Sequence, residues 1–128
     1  MTFQGAVISG YQNYATFQGR ASRSEFWWWT LFQALASSAI GVVFGYGVMT
    51  MDPATMAMAY QGGIVMNLWT LANLLPNLAM NVRRLHDIGR SGWWLLLMLI
   101  PLIGFIIVLV WLCQKSDTGD NAYGPQTA

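Results

Sequence analysis

The chain's only histidine lies in the run N-V-R-R-L-H-D-I-G-R-S-G-W-W, Asn81 to Trp94, next to Asp87 and among Arg83, Arg84 and Arg90, three of its six Lys/Arg residues. An imidazole beside a carboxylate is the pairing that general acid–base chemistry uses. Adjacent residues on a helix point apart, however, and neither a nucleophile nor a metal partner accompanies His86, so no catalytic residue is assigned. Anion binding suits these residue types better. Guanidinium groups hold phosphate through paired hydrogen bonds, and Gly89 and Gly92 expose backbone N–H groups just ahead of the next apolar stretch. With Arg20 and Arg23, the cluster Arg83, Arg84 and Arg90 forms a candidate site for the headgroup of an anionic phospholipid. No metal and no cofactor are expected. Cys113 is a lone cysteine, and the tail segment Asp117 to Gly124 lacks the acidic twelfth residue of a calcium loop.

The elements that carry these residues are apolar. Of the 128 residues 55% are hydrophobic and only 9% charged, against about 25% charged in a soluble domain, so water is not the solvent. A net charge of +1, with arginines that flank apolar runs instead of lining one face, excludes a nucleic-acid partner. The chain reads as a single all-α membrane domain over 1–128.

Three uncharged stretches, about 26–48, 62–80 and 93–113, are each long enough for a helix to cross a hydrocarbon core of about 30 Å. Arg20 and Arg23 precede the first and Arg83, Arg84 and Arg90 follow the second, whereas the intervening loop carries no Lys or Arg. The positive-inside rule then predicts a cytoplasmic N-terminus and a C-terminus on the outer, periplasmic side. Tryptophans at 27–29, 93–94 and 111 fit the headgroup level, and 2–18 reads as an interfacial amphipathic segment. Residues 114–128 form a polar tail.

On the second stretch Asn67, Thr70, Asn73, Asn77 and Asn81 recur every three or four residues, a polar stripe within an arc of about 120°. Such a stripe must face another helix, a cavity or a partner. Pro76 interrupts it and frees the carbonyl of Ala72, for which the amides of Asn73 or Asn77 are the nearest donors. On the first stretch Ser37, Gly41 and Gly45 recur at four-residue spacing, a helix-packing face of small residues.

The segments G-R-A-S-R-S-E-F-W-W (Gly19 to Trp28), R-R-L-H-D-I-G-R-S-G-W-W-L-L-L (Arg83 to Leu97), I-P-L-I-G (Ile100 to Gly104) and G-D-N-A-Y-G-P (Gly119 to Pro125) resemble, in this order, the domain-of-unknown-function 805 family. The resemblance implies a multi-pass helical protein of the bacterial inner membrane and supplies no catalytic residue. Together these readings lead to a non-enzymatic accessory or structural subunit of a membrane protein assembly, or a homo-oligomer, with anionic-lipid contacts. A small solute or ion transporter using the asparagine stripe is the second reading and a lipid-headgroup enzyme the third.

Overall fold

A computed structural model describes residues 1–44 and 52–127, with the side chain of Thr55 excepted. The described residues form α1 (Phe3–Gln12), α2 (Arg23–Val43), α3 (Pro53–Asp87), a 3-10 helix (Gly92–Leu99) and α4 (Ile103–Cys113), with no strand among them. The all-helical expectation holds in this form. One described helix, α2, is both long and apolar enough to cross a membrane. At about 1.5 Å per residue the 35 residues of α3 span about 52 Å, and its polar stripe is what dilutes its hydropathy.

Each boundary has a local cause. Thr2 and Ser22 are N-caps whose hydroxyls accept from the N–H groups of Gly5 and Glu25. Pro53 opens α3, the position at which its missing N–H costs nothing. At the far end Gly89 takes a φ of 75°, and Gly89 and Arg90 donate back to the carbonyls of His86 and Leu85 at 3.0 and 2.9 Å, the paired closure of a Schellman motif. α3 is longer at both ends than the expected 62–80. The first expected helix is described only to its cap at Phe44, and its reading to Val48 lies outside the described residues.

The expected third helix over 93–113 is corrected. The chain leaves Ser91 in a 3-10 helix, stops at Ile100, and restarts at Ile103 after Leu102 takes φ 65° and ψ −65°. Ile103 N–H donates to the Pro101 carbonyl at 2.8 Å, which closes a γ-turn on Leu102. The two arms fold back on each other. A Cβ on Gly104 would stand 1.7 Å from the Leu97 carbonyl, and both open ends lie against the end of α3, where Gly92 meets Val82 and the Leu112 carbonyl accepts from Arg84. Pro101 accounts for the break, since it cannot donate to a helix and disfavours helical φ/ψ in Ile100 before it.

The core lies where α2, the end of α3 and α4 converge, on Phe26, Trp29, Met80, Leu85, Val108 and Leu112. α1 packs on α2 and α3: a Cβ on Gly10 would fall 2.2 Å from the Trp29 ring, and Tyr11 donates to Asn73 at 2.7 Å. The helical part of the expected 2–18 segment therefore ends at Gln12. Elsewhere the surface is apolar, with Leu68, Leu71, Leu99 and Leu102 all more than 60% exposed, a composition suited to acyl chains and not to water.

Candidate functional site

Asp87 closes α3 and is fully buried, a position tolerable for a carboxylate only if it is paired. Its Oδ1 accepts from Arg20 Nε at 2.9 Å and Thr127 Oγ1 at 2.8 Å, and its Oδ2 from Arg84 Nη1 at 2.8 Å and from the Ser116 hydroxyl. Two guanidinium groups and two hydroxyls thus saturate one carboxylate.

Arg20 is spent in the same way. Besides Asp87 Oδ1 it donates to the carbonyls of Gly119 (2.9 Å), Gly124 (3.2 Å), Asp117 (2.8 Å) and Asp87 itself (3.2 Å), which engages all five of its N–H groups. Arg84 donates to the carbonyls of Leu112, at 3.2 Å, and Gln114. Arg83 pairs with Glu25 at 3.5 Å, and its Nε is the one buried side-chain nitrogen or oxygen left without a partner among the described residues. Burial lowers the affinity of Arg83 and Arg84 for a proton, while Glu25 and Asp87 act against it.

The five arginines expected to hold lipid therefore separate into two groups. Arg20, Arg83 and Arg84 are buried and paired with Asp87 or Glu25 inside the fold. Arg23 is exposed, with one contact to the Cys113 carbonyl at 3.3 Å, and Arg90 is half-buried with its guanidinium 4.0 Å above the Trp111 ring. Sequence reasoning missed Lys115, which shares a cleft of about 380 Å³ with Arg23, Ser24, Ser116 and Thr118. Its isolation in the chain hid that neighbourhood.

His86 and Asp87 do not form an acid–base pair. The imidazole Nδ1 faces the Gly19 carbonyl at 3.0 Å and so carries the proton, and the ring stacks on Tyr123 with centroids 4.0 Å apart. Burial pushes the His86 pKa below its ordinary value, opposed by the Gly19 carbonyl, so the ring is neutral at physiological pH. The tail completes the arrangement, with Asn121 donating to the His86 carbonyl at 2.9 Å and Asp117 N–H to the Asp87 carbonyl at 2.9 Å. Residues 115–127 thus lie against Arg20 and the end of α3, next to the arginine segments. Among the described residues no cluster of His, Cys, Asp and Glu could hold a metal ion.

The polar stripe divides likewise. Asn73 is buried, accepts from Tyr11 and from Gln33 Nε2 at 3.1 Å, and donates to the Trp69 carbonyl at 2.9 Å. Asn77 accepts from Trp29 Nε1 at 2.8 Å, Asn81 donates to the Asn77 carbonyl at 2.8 Å, and Thr70 to that of Met66 at 2.9 Å, while Asn67 is exposed. The carbonyl freed by Pro76 accepts from neither asparagine: the Tyr14 hydroxyl, from the segment after α1, donates to Ala72. Thr30, Gln33, Ser37, Thr70, Asn73 and Asn77 line an open groove of about 340 Å³ between α2 and α3. Gly41 is half-buried on α2, and Gly45 lies outside the described residues; the close approach of α2 to α3 is at Gly62, where a Cβ would stand 2.5 Å from that of Phe44.

The segments meeting around Asp87 are the basic segment before α2, the end of α3 and the tail, and one family profile, described as protein of unknown function (DUF805), matches residues 14–125. The chain belongs to the DUF805 family. Inner membrane protein YhaI of Escherichia coli (strain K12) is 38% identical over 117 residues, 91% of this chain and 90% of the relative. Inner membrane protein YhaH of the same strain is 36% identical over 115 residues, 89% and 88% of the two chains. YiiR, also from that strain, is 36% identical over 86 residues, 66% of this chain and 50% of its own. Likeness to YhaI and YhaH along nearly their whole lengths supports the bacterial inner membrane as the location of this DUF805 protein. No solved structure matches it.

Proposed function

We propose that this DUF805 protein is a non-catalytic subunit of an inner-membrane assembly, and that the groove between α2 and α3 receives a helix of another subunit. In this reading α2 and the 62–80 part of α3 cross the membrane, the hairpin from Gly92 to Cys113 enters it and returns, and the Asp87 network and tail lie on the cytoplasmic side. Each arm of the hairpin is about 16 Å long, half of a hydrocarbon core of about 30 Å.

The observation that carries the proposal is the groove: the hydroxyls of Thr30, Ser37 and Thr70 and the amide of Gln33 line an opening in an otherwise apolar surface. Acyl chains offer such groups no hydrogen bonds, whereas a helix with small and polar residues does. A conduction path is less well supported, because Tyr11, Gln33 and Trp29 already occupy Asn73 and Asn77 at the centre of the stripe. On the cytoplasmic face the Arg23 and Lys115 cleft is the candidate for anionic headgroups, at about 1 kcal/mol per cation near a charged surface.

A photoreactive residue placed at Ser37 or Thr70 in cells tests the groove. Adducts with a protein other than this chain are expected at both positions and not at Leu71. Lipid adducts alone at Ser37 and Thr70 would refute the reading, and adducts only with a second copy would replace the foreign helix by self-association.

A further inference from the structure

A second cavity, of about 440 Å³, lies on another part of the molecule, between the loop after α1, the end of α3 and the start of the 3-10 helix. Its walls include Phe17, Leu78, Val82, Trp93 and Leu96, and His86 and Ser91 are its polar lining residues. The size falls in the ordinary range of small-molecule sites, and an apolar enclosure with few polar groups is their usual form.

His86 makes this more than a gap in the packing. It is only 8% exposed, and since Nδ1 donates to the Gly19 carbonyl, Nε2 is left as an acceptor with no partner among the described residues. Covering this acceptor with a group that offers it no donor would cost about 1–3 kcal/mol, so an occupant able to donate is favoured over one that is not. Ser91 accepts from Trp93 N–H at 3.4 Å, which leaves its own hydroxyl proton available. These two groups ask for a ligand with a hydroxyl and a second polar atom.

The remaining lining excludes other heads. No Lys or Arg faces the cavity, so a phosphate or carboxylate would enter unpaired, and a bare acyl chain would leave Nε2 unsatisfied. Phe17 and Trp93 contribute aromatic side chains to the lining, which suits a flat ring, and the rim is largely exposed at Trp93 (79%) and Leu96 (57%), where a chain can pass into the lipid. We propose that this cavity binds the ring of a neutral, membrane-soluble hydroquinone, with one ring hydroxyl donating to His86 Nε2 and the apolar chain leaving past Trp93 and Leu96. The site is independent of the groove between α2 and α3, and its occupation does not require the partner helix.

The test is equilibrium binding of decylhydroquinone, kept reduced, to the full chain in nanodiscs, with partition into empty nanodiscs subtracted. Saturable one-to-one binding is expected, weakened about tenfold for the corresponding dimethyl ether, which has the same ring and chain and no donor. Leu96→Trp should fill the cavity and remove the saturable component, while His86→Phe, which keeps the stack on Tyr123, should bind ether and hydroquinone alike. Equal affinity of the unaltered protein for ether and hydroquinone, non-saturable uptake only, or displacement of the ligand by phosphatidylglycerol at equal concentration would each overturn the proposal. The ether comparison uses the unaltered chain, so it decides even if a variant does not fold.

Discussion

Asp87 ties the segment before α2, the end of α3 and the tail together, because two buried cations and two hydroxyls share its two oxygens. Removing one partner of a buried ion pair costs about 3–5 kcal/mol, most of it from the charge left unpaired. Asp87→Asn keeps the shape, strands both Arg20 and Arg84, and should destabilise the protein by that amount. Two readouts are expected to move together: a lower melting temperature in detergent, and trypsin cleavage after Lys115 as the tail comes away from Arg20. Arg90→Gln is the contrast, since a partly exposed guanidinium over Trp111 contributes about 0.5–1 kcal/mol. If Asp87→Asn melts with the parent and its tail stays resistant, the network contributes nothing to stability. Part of this was legible in the chain: the two arginine segments were expected to form one cluster, and Glu25 beside the first does pair with Arg83 of the second. The partners of Arg20 were not legible. Three of its five acceptors are tail carbonyls 97, 99 and 104 residues away, and a carbonyl is the same atom in every residue.

Among the elements, the hairpin from Gly92 to Cys113 departs most from its sequence pattern. Twenty-one uncharged residues from Trp93 satisfy the length rule for a crossing helix, and hydropathy does not register direction. The signals for reversal are Pro101 and Gly104, one stopping the first arm and the other allowing the second to lie against the Leu97 carbonyl. Between them Leu102 has φ 65°, a conformation that costs an L-residue about 1–2 kcal/mol and glycine almost nothing. Leu102→Gly should therefore stabilise the protein by up to about 1 kcal/mol, offset in part by the freer unfolded chain, seen as a rise in melting temperature. Leu102→Val, β-branched at the same angle, should lower it. The reverse order would mean that the turn is not formed in the membrane. By contrast the stripe on α3 was legible, because a period of three to four residues survives any packing. Its donors were not: the Ala72 carbonyl freed by Pro76 is served by Tyr14, and nothing local to α3 announces a residue so far along the chain.

At the scale of the whole molecule, the turn in the hairpin decides where the chain ends. Had residues 93–113 crossed as one helix, the tail would lie across the membrane from Arg20. Instead α4 returns to the end of α3, and the tail bonds to Arg20, His86 and Asp87. The positive-inside argument for the arginine segments is untouched by this, since Arg20, Arg23, Arg83, Arg84 and Arg90 still share one end of the molecule. What changes is the fate of Lys115, which joins them in the cleft beside Arg23, so that all six Lys/Arg residues gather at one end of the molecule. Cysteine scanning in a Cys113→Ser background, with an impermeant thiol reagent, separates the two topologies. In intact cells Tyr60→Cys should label, while Gln18→Cys and Thr118→Cys should label only after the membrane is opened. Labelling of Thr118→Cys in intact cells alongside Tyr60→Cys would restore the single crossing of 93–113, and the bonds from Arg20 to the tail would have no place in the folded protein.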